Sequence, residues 1–164
     1  PFEYGIVDGR SYSRHADAEI AAYADHPNIR YFRQDENYGK TLEYDIALHN
    51  PNCKQIIVEG MSNREELMDL MGLSTLDELK NRLRRSVENE RRKTAIDANT
   101  SWNDEEKMKA IIASRYLNSV SKGGNALTLS LVLEENRKRK KDDEDKFTFV
   151  VPQYIEEALR WLLS

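Results

Sequence analysis

From residue 74 to residue 133 the apolar residues of this chain return at helical spacing, and that periodicity constrains the fold more than any other feature. Ser74 and Asp77 stand at the spacing of a helix cap, and Leu76, Leu79, Leu83 and Val87 then form one stripe. Asn103 and Glu106 make a second such pair, followed by Met108, Ile111, Ile112, Tyr116 and Val120. Residues 126–133 are apolar on nearly every side, which predicts a helix buried all round. Beyond them EENRKRKKDDEDK, residues 134–146, carries six acids and six bases, the pattern of a solvated helix end running into a mobile loop.

The first sixty residues read differently. FEYGIVD (2–8) and NIRYF (28–32) are short and apolar-rich, with a helical pattern between them carried by Ala16, Ile20, Tyr23 and Ala24. That order predicts a parallel strand–helix–strand unit. Thr41 is placed to cap a helix over 42–49, which NPN stops. QIIVEG (55–60) reads as a further strand ending in Glu59, and FTFVV (147–151) as a last one. Pro152 then opens a helix with Ile155, Ala158, Leu159 and Leu162 on its core face. The expected fold class is therefore α/β, with a βαβ part over 1–52 and a mainly helical part over 53–164, closing on a strand and helix. The whole reads as one domain.

Charge and cysteine content narrow the function. At 164 residues and net charge -4 the chain offers no overall attraction to nucleic acid, so any such contact must come from a local patch. Hydrophobic residues make up 39% and charged residues 33%, with no run long enough to span a membrane. Cys53 stands alone, which excludes an internal disulfide and suits a reducing cytosol. The chain starts at Pro1 in a strand-like run and reads as part of a longer protein.

Three groups of residues are candidates for chemistry. The segment 80–93 holds seven bases, among them Arg84, Arg85, Arg91 and Arg92, which suit either a solvated face or contact with a nucleic-acid backbone. Lys122-Gly123-Gly124 leads into a helix whose first amides could hold a phosphate, or is simply a flexible helix start. Asp8, Glu43, Asp45, Glu59 and Asp97 are the acids at element ends, and convergent acids are what a pair of divalent metals requires. His15, His26 and His49 show no metal-site spacing. Reading Glu59 as a metal-binding strand end would require AIDAN, with Asp97 and Asn99, to be a second strand. Its charged, helical lead-in argues against that, so Glu59 reads as structural.

GKTLEYDIALHNPN (39–52), KGGNAL (122–127) and FVVPQYIEEAL (149–159) occur in an order that resembles the Toprim nuclease part of overcoming-lysogenisation-defect (OLD) endonucleases. The resemblance implies a Toprim-like sheet and metal-dependent cleavage of DNA with Mg2+ or Mn2+. It further implies an ATP-hydrolysing domain upstream, a homodimer, a cytoplasmic setting and a role in phage defence. It places Lys122 beside the scissile phosphate and Glu43 and Asp8 at the metals; Arg84, Arg85 and Arg91 are candidates for DNA contact from the charge of their segment alone. The aspartate expected as a partner of Asp8 is replaced by Ile6 or Arg10. On this reading the chain does not cut DNA alone.

Overall fold

The structure is a computed structural model that describes residues 18–34, 39–83 and 85–164, with the backbone alone at residues 87 and 122. The chain divides into two compact units. One is formed by Pro1–Lys40 with Val151–Ser164, the other by Thr41–Val150.

Among the described residues the larger unit has six α-helices: α1 (Leu42–His49), α2 (Arg64–Leu70), α3 (Leu76–Arg82), α4 (Val87–Asp97), α5 (Asp104–Leu117) and α6 (Lys122–Lys138). Local chemistry sets most of their starts. The hydroxyls of Thr41, Thr75 and Ser86 accept from the third amides of α1, α3 and α4, those of Tyr44, Glu78 and Asn89. Asn103 and Glu106 form a reciprocal box at α5, at 2.9 and 2.8 Å. The cap of α3 is thus Thr75, one residue later than Ser74. The leucine stripe is divided, since α3 stops at Arg82 and a link carries the chain into α4.

Helix α5 is the centre of this unit. Seven consecutive residues, from Ala110 to Tyr116, are buried, because the small side chains of Ala110, Ala113 and Ser114 let neighbouring helices close on it from several directions. Around it pack Tyr44 and Ala47 of α1, Leu67 and Leu70 of α2, Leu76 and Leu79 of α3, and Ile96 of α4. Helix α6 is not buried all round as its composition suggests. It turns Asn125, Leu129 and Asn136 inward and leaves Leu127 and Leu131 exposed.

The expected α/β class is corrected. No strand occurs among the described residues, which are all-α, so the Toprim-like parallel sheet is not present there. Residue 28 lies in a turn and residues 29–32 form no regular element. Lys54–Ile56 is a 3-10 turn, and Ile56, Ile57 and Val58 are all buried because the chain winds tightly there. A short apolar run does not by itself distinguish a strand from such a turn. Residues 2–8, including Asp8, lie outside the described residues.

The segment 147–150 shows most clearly why a strand was expected and not formed. Its backbone is held by side chains. The amide of Asn50, the cap residue ending α1, donates to the Val150 carbonyl at 2.8 Å and accepts from the Val150 N–H at 2.7 Å. Asn136 of α6 grips Phe147 in the same way, at 2.8 and 3.1 Å. A carboxamide carries the donor and acceptor of a peptide group, so two asparagines supply what a neighbouring strand would have supplied. The preceding charged segment is also tied down. The Lys146 ammonium caps the end of α6 on the Asn136 and Arg139 carbonyls, and Arg139 pairs with Asp143 and Asp145.

The smaller unit has helical backbone over 18–22 and helix α7 (Gln153–Leu162). Pro152 is the residue before α7 rather than its first. Tyr31 donates to Glu19 at 3.2 Å, and Phe32 meets Trp161 with ring centres 6.2 Å apart.

Candidate functional site

Four pieces of chain meet around the turn at 56–62. The first turn of α1 brings Glu43, which is half-buried. The end of α5 brings Tyr116, whose hydroxyl donates to the Ile56 carbonyl at 3.2 Å. Burial, with the nearby negative charge of Glu43 and the Cys53 thiol adding to it, pushes the Tyr116 phenol up to about 12. Glu43 therefore lies within electrostatic reach of the end of α5.

The link from α5 to α6 is laced to the same turn. The Ser119 carbonyl accepts from the Ser62 N–H at 3.0 Å and the Ser62 hydroxyl at 3.2 Å. Asn125, one turn into α6, donates to the Glu59 carbonyl at 3.2 Å, and its Oδ1 accepts from the Ser121 N–H. Gly60, at φ +85°, supplies the left-handed corner that follows that carbonyl. Lys122 thus opens a helix whose start is fixed on two sides. Gly123 and Gly124 each cost that first turn about 1 kcal/mol relative to alanine, and Ser121 gives it no side-chain cap.

The sequence candidates fare unequally. Lys122 stands at a helix start, as KGG suggests. Glu59 is exposed, and its backbone rather than its carboxylate is engaged. Asp97 ends α4 and pairs with Lys80. Asp45 is buried within α1. Among the described residues no group of three His, Cys, Asp or Glu could hold a metal, so Glu43 has no set of fellow ligands there. Those residues do not fit a two-metal centre. Asp8 and Arg84 lie outside the described residues.

The basic segment is not one helix. Arg85 lies exposed in the link between α3 and α4, beside an open cleft of about 400 Å³ that Lys80 and Lys93 also line. Arg91 is exposed on α4. Arg92 is spent within the unit, pairing with Glu88 at 2.9 Å and Asn89 at 2.5 Å. Glu88 also accepts from Asn118 at the end of α5.

Elsewhere, Arg115 of α5 pairs with Glu66 of α2 through Nε at 3.0 Å and Nη2 at 2.5 Å, both side chains largely buried. Buried Tyr44 has its phenol pushed far up, first by burial and then by Asp45, against the opposing pull of Ser114 and Arg92. No helix among the described residues is long and apolar enough to cross a membrane. The residues that sequence reasoning missed are three of the buried asparagines, 50, 125 and 136. Only Asn50, ending a helix before proline, carried a local signal.

Comparison with protein families, with characterised proteins and with solved structures finds no match to this chain.

Proposed function

We propose that this chain is the later, helical portion of an OLD-type ATP-dependent DNA endonuclease, contributing Lys122 to phosphodiester cleavage. In this reading Lys122 provides a fixed positive charge at a helix start, where aligned amides favour the same negative charge. Such a charge acts on what develops in the transition state. Arg85 and Arg91 add contact with the DNA backbone. The metals, Mg2+ or Mn2+, would be held by acids that are not grouped among the described residues, and no step is assigned to Glu43. ATP would be hydrolysed by another domain of such a protein.

The observation that supports this reading is the joining of the family-like stretches. Asn50 of GKTLEYDIALHNPN grips Val150 of FVVPQYIEEAL across 100 residues of sequence. The third stretch, KGGNAL, is anchored through Asn125 to the turn that Tyr116 also reaches. A second reading is a non-catalytic helical domain that contacts a partner or a second copy within such an ATPase. It is favoured by exposed Leu127 and Leu131 on α6, and by Leu159 and Leu162 on α7 with Leu163 just after it.

Lys122→Ala separates the two. In the intact protein it is expected to slow cleavage about a hundredfold, with DNA affinity and thermal stability nearly unchanged. Lys122→Arg should rescue poorly, because a planar guanidinium does not replace a compact ammonium. Cleavage by Lys122→Ala at the parental rate overturns the nuclease role of this residue and favours the second reading.

A further inference from the structure

We infer that Asn125 is the positioning residue for the lysine-bearing turn, holding the first turn of α6 in the one geometry from which Lys122 acts. The inference rests on the nuclease reading above and deepens it. Two consecutive glycines, 123 and 124, follow Lys122 directly, and a glycine-rich turn samples many backbone conformations before it settles into a helix. A methyl group added at Gly123 would meet nothing within 4 Å, and at Gly124 only the Ser121 hydroxyl at 4.0 Å. Close packing therefore does not demand glycine at either position, and the surroundings do not confine the turn. Ser121, in the cap position, makes no side-chain bond to the helix.

What confines the turn is Asn125. It is 6% exposed, and both ends of its carboxamide are engaged. Oδ1 takes the Ser121 N–H, while the Asn125 N–H donates to the Ser121 carbonyl at 2.9 Å, so residues 121 and 125 close reciprocally around Lys122 and its glycines. Nδ2 carries that closed turn to the Glu59 carbonyl at 3.2 Å. The loop 59–62 is in turn tied to Ser119 through both groups of Ser62. The lysine's backbone is thus referenced to the buried end of α5 and to the turn at 56–62, rather than to its own flexible neighbours. A reactive group misplaced by about an ångström can lose two orders of magnitude in rate, so the lock acts on turnover.

The test uses the intact nuclease and five variants: Lys122→Ala, Asn125→Ala, Asn125→Asp, the double variant Lys122→Ala/Asn125→Ala, and Asn125→Ala with Gly124→Ala. Asn125→Asp keeps an acceptor for the Ser121 amide but sets a carboxylate oxygen against the Glu59 carbonyl, so it breaks the outward tie and keeps the inner one. Asn125→Ala is expected to lower kcat about tenfold with KM and DNA affinity nearly unchanged, and Asn125→Asp to lower it at least as much. In the Lys122→Ala background, removal of Asn125 should cost nothing more, because the lock acts only through the lysine. Gly124→Ala should restore part of the lost kcat by stiffening the same turn. Parental kcat in both Asn125 variants, or an equal loss with and without Lys122, overturns the inference and leaves the nuclease reading standing. Parental kcat in Lys122→Ala removes that reading, and the inference with it.

Discussion

Helices α5 and α6 are neighbours in sequence and differ in the opposite sense to their composition. Residues 126–133 of α6 are apolar at six of eight positions, whereas α5 begins with three acids and carries two lysines and an arginine. Yet α5 is enclosed over seven consecutive residues, while α6 leaves Leu127 and Leu131 exposed at 66% and 60%. The difference lies in what neighbours can approach. Ala110, Ala113 and Ser114 give α5 a low profile on more than one face, so helices close around it. The longer side chains of α6 interleave with the core along one face only. Enclosure follows shape, and hydropathy records only what enclosure would be worth.

Three measurements bear on this contrast. The largest effect is expected at Arg115, the cation that α5 carries into its buried stretch. Arg115→Met takes two N–H donors from one oxygen of the largely buried Glu66 carboxylate, and should cost about 3 kcal/mol or more in urea unfolding. A cost below about 1 kcal/mol, as for a surface pair, would show that α5 is wetter than its burial implies.

A smaller effect comes from alkaline pH. Tyr116 titrates at about 12 when folded, against an ordinary value of 10.0. Because its folded value is raised, its neutral form stabilises the fold fully below pH 10. That contribution is lost as pH rises towards 12, where the unfolded chain alone would ionise. Stability should fall by about 2–3 kcal/mol across that interval on account of Tyr116. Tyr116→Phe should reduce the slope without abolishing it, because Tyr44 on α1 is raised by burial as well. An identical alkaline slope in Tyr116→Phe would mean that the phenol is reached by solvent.

The smallest effect belongs to α6. Replacing Leu127 and Leu131 together by serine should cost no more than about 1 kcal/mol, since both are mostly exposed. A loss several times larger would mean that the face is covered in solution, and the contrast with α5 would disappear.

What was legible in the sequence was local. The bounds of α1 follow from Thr41 and from the NPN that stops it, and the box at Asn103 and Glu106 is present as the spacing implies. Lys122 at a helix start was visible in KGG. What required distant partners was not visible. FTFVV has the composition of a strand, but whether it pairs with a strand or with asparagines is decided by residues 50 and 136. Arg92 pairs with Glu88, which also accepts from Asn118, the residue that ends α5 and lies 30 positions away. Asn125 has the same difficulty, for nothing in KGGN announces that the Glu59 carbonyl will stand opposite.

The grip of Asn50 and Asn136 on the main chain has a consequence for which substitutions the molecule can absorb. A side chain that holds only N–H and C=O reads no letter of the segment it holds, so any residue except proline at 147 or 150 presents the same handles. The constraint is displaced onto the two holders, and there it is severe. Aspartate in place of either would turn the donor into an oxygen facing the carbonyl of Val150 or Phe147. The same change arises unaided as proteins age, when a backbone nitrogen attacks the preceding asparagine's amide. Pro51, following Asn50, has no N–H with which to do so, and the residue that ends α1 is thereby guarded by the one that stops it.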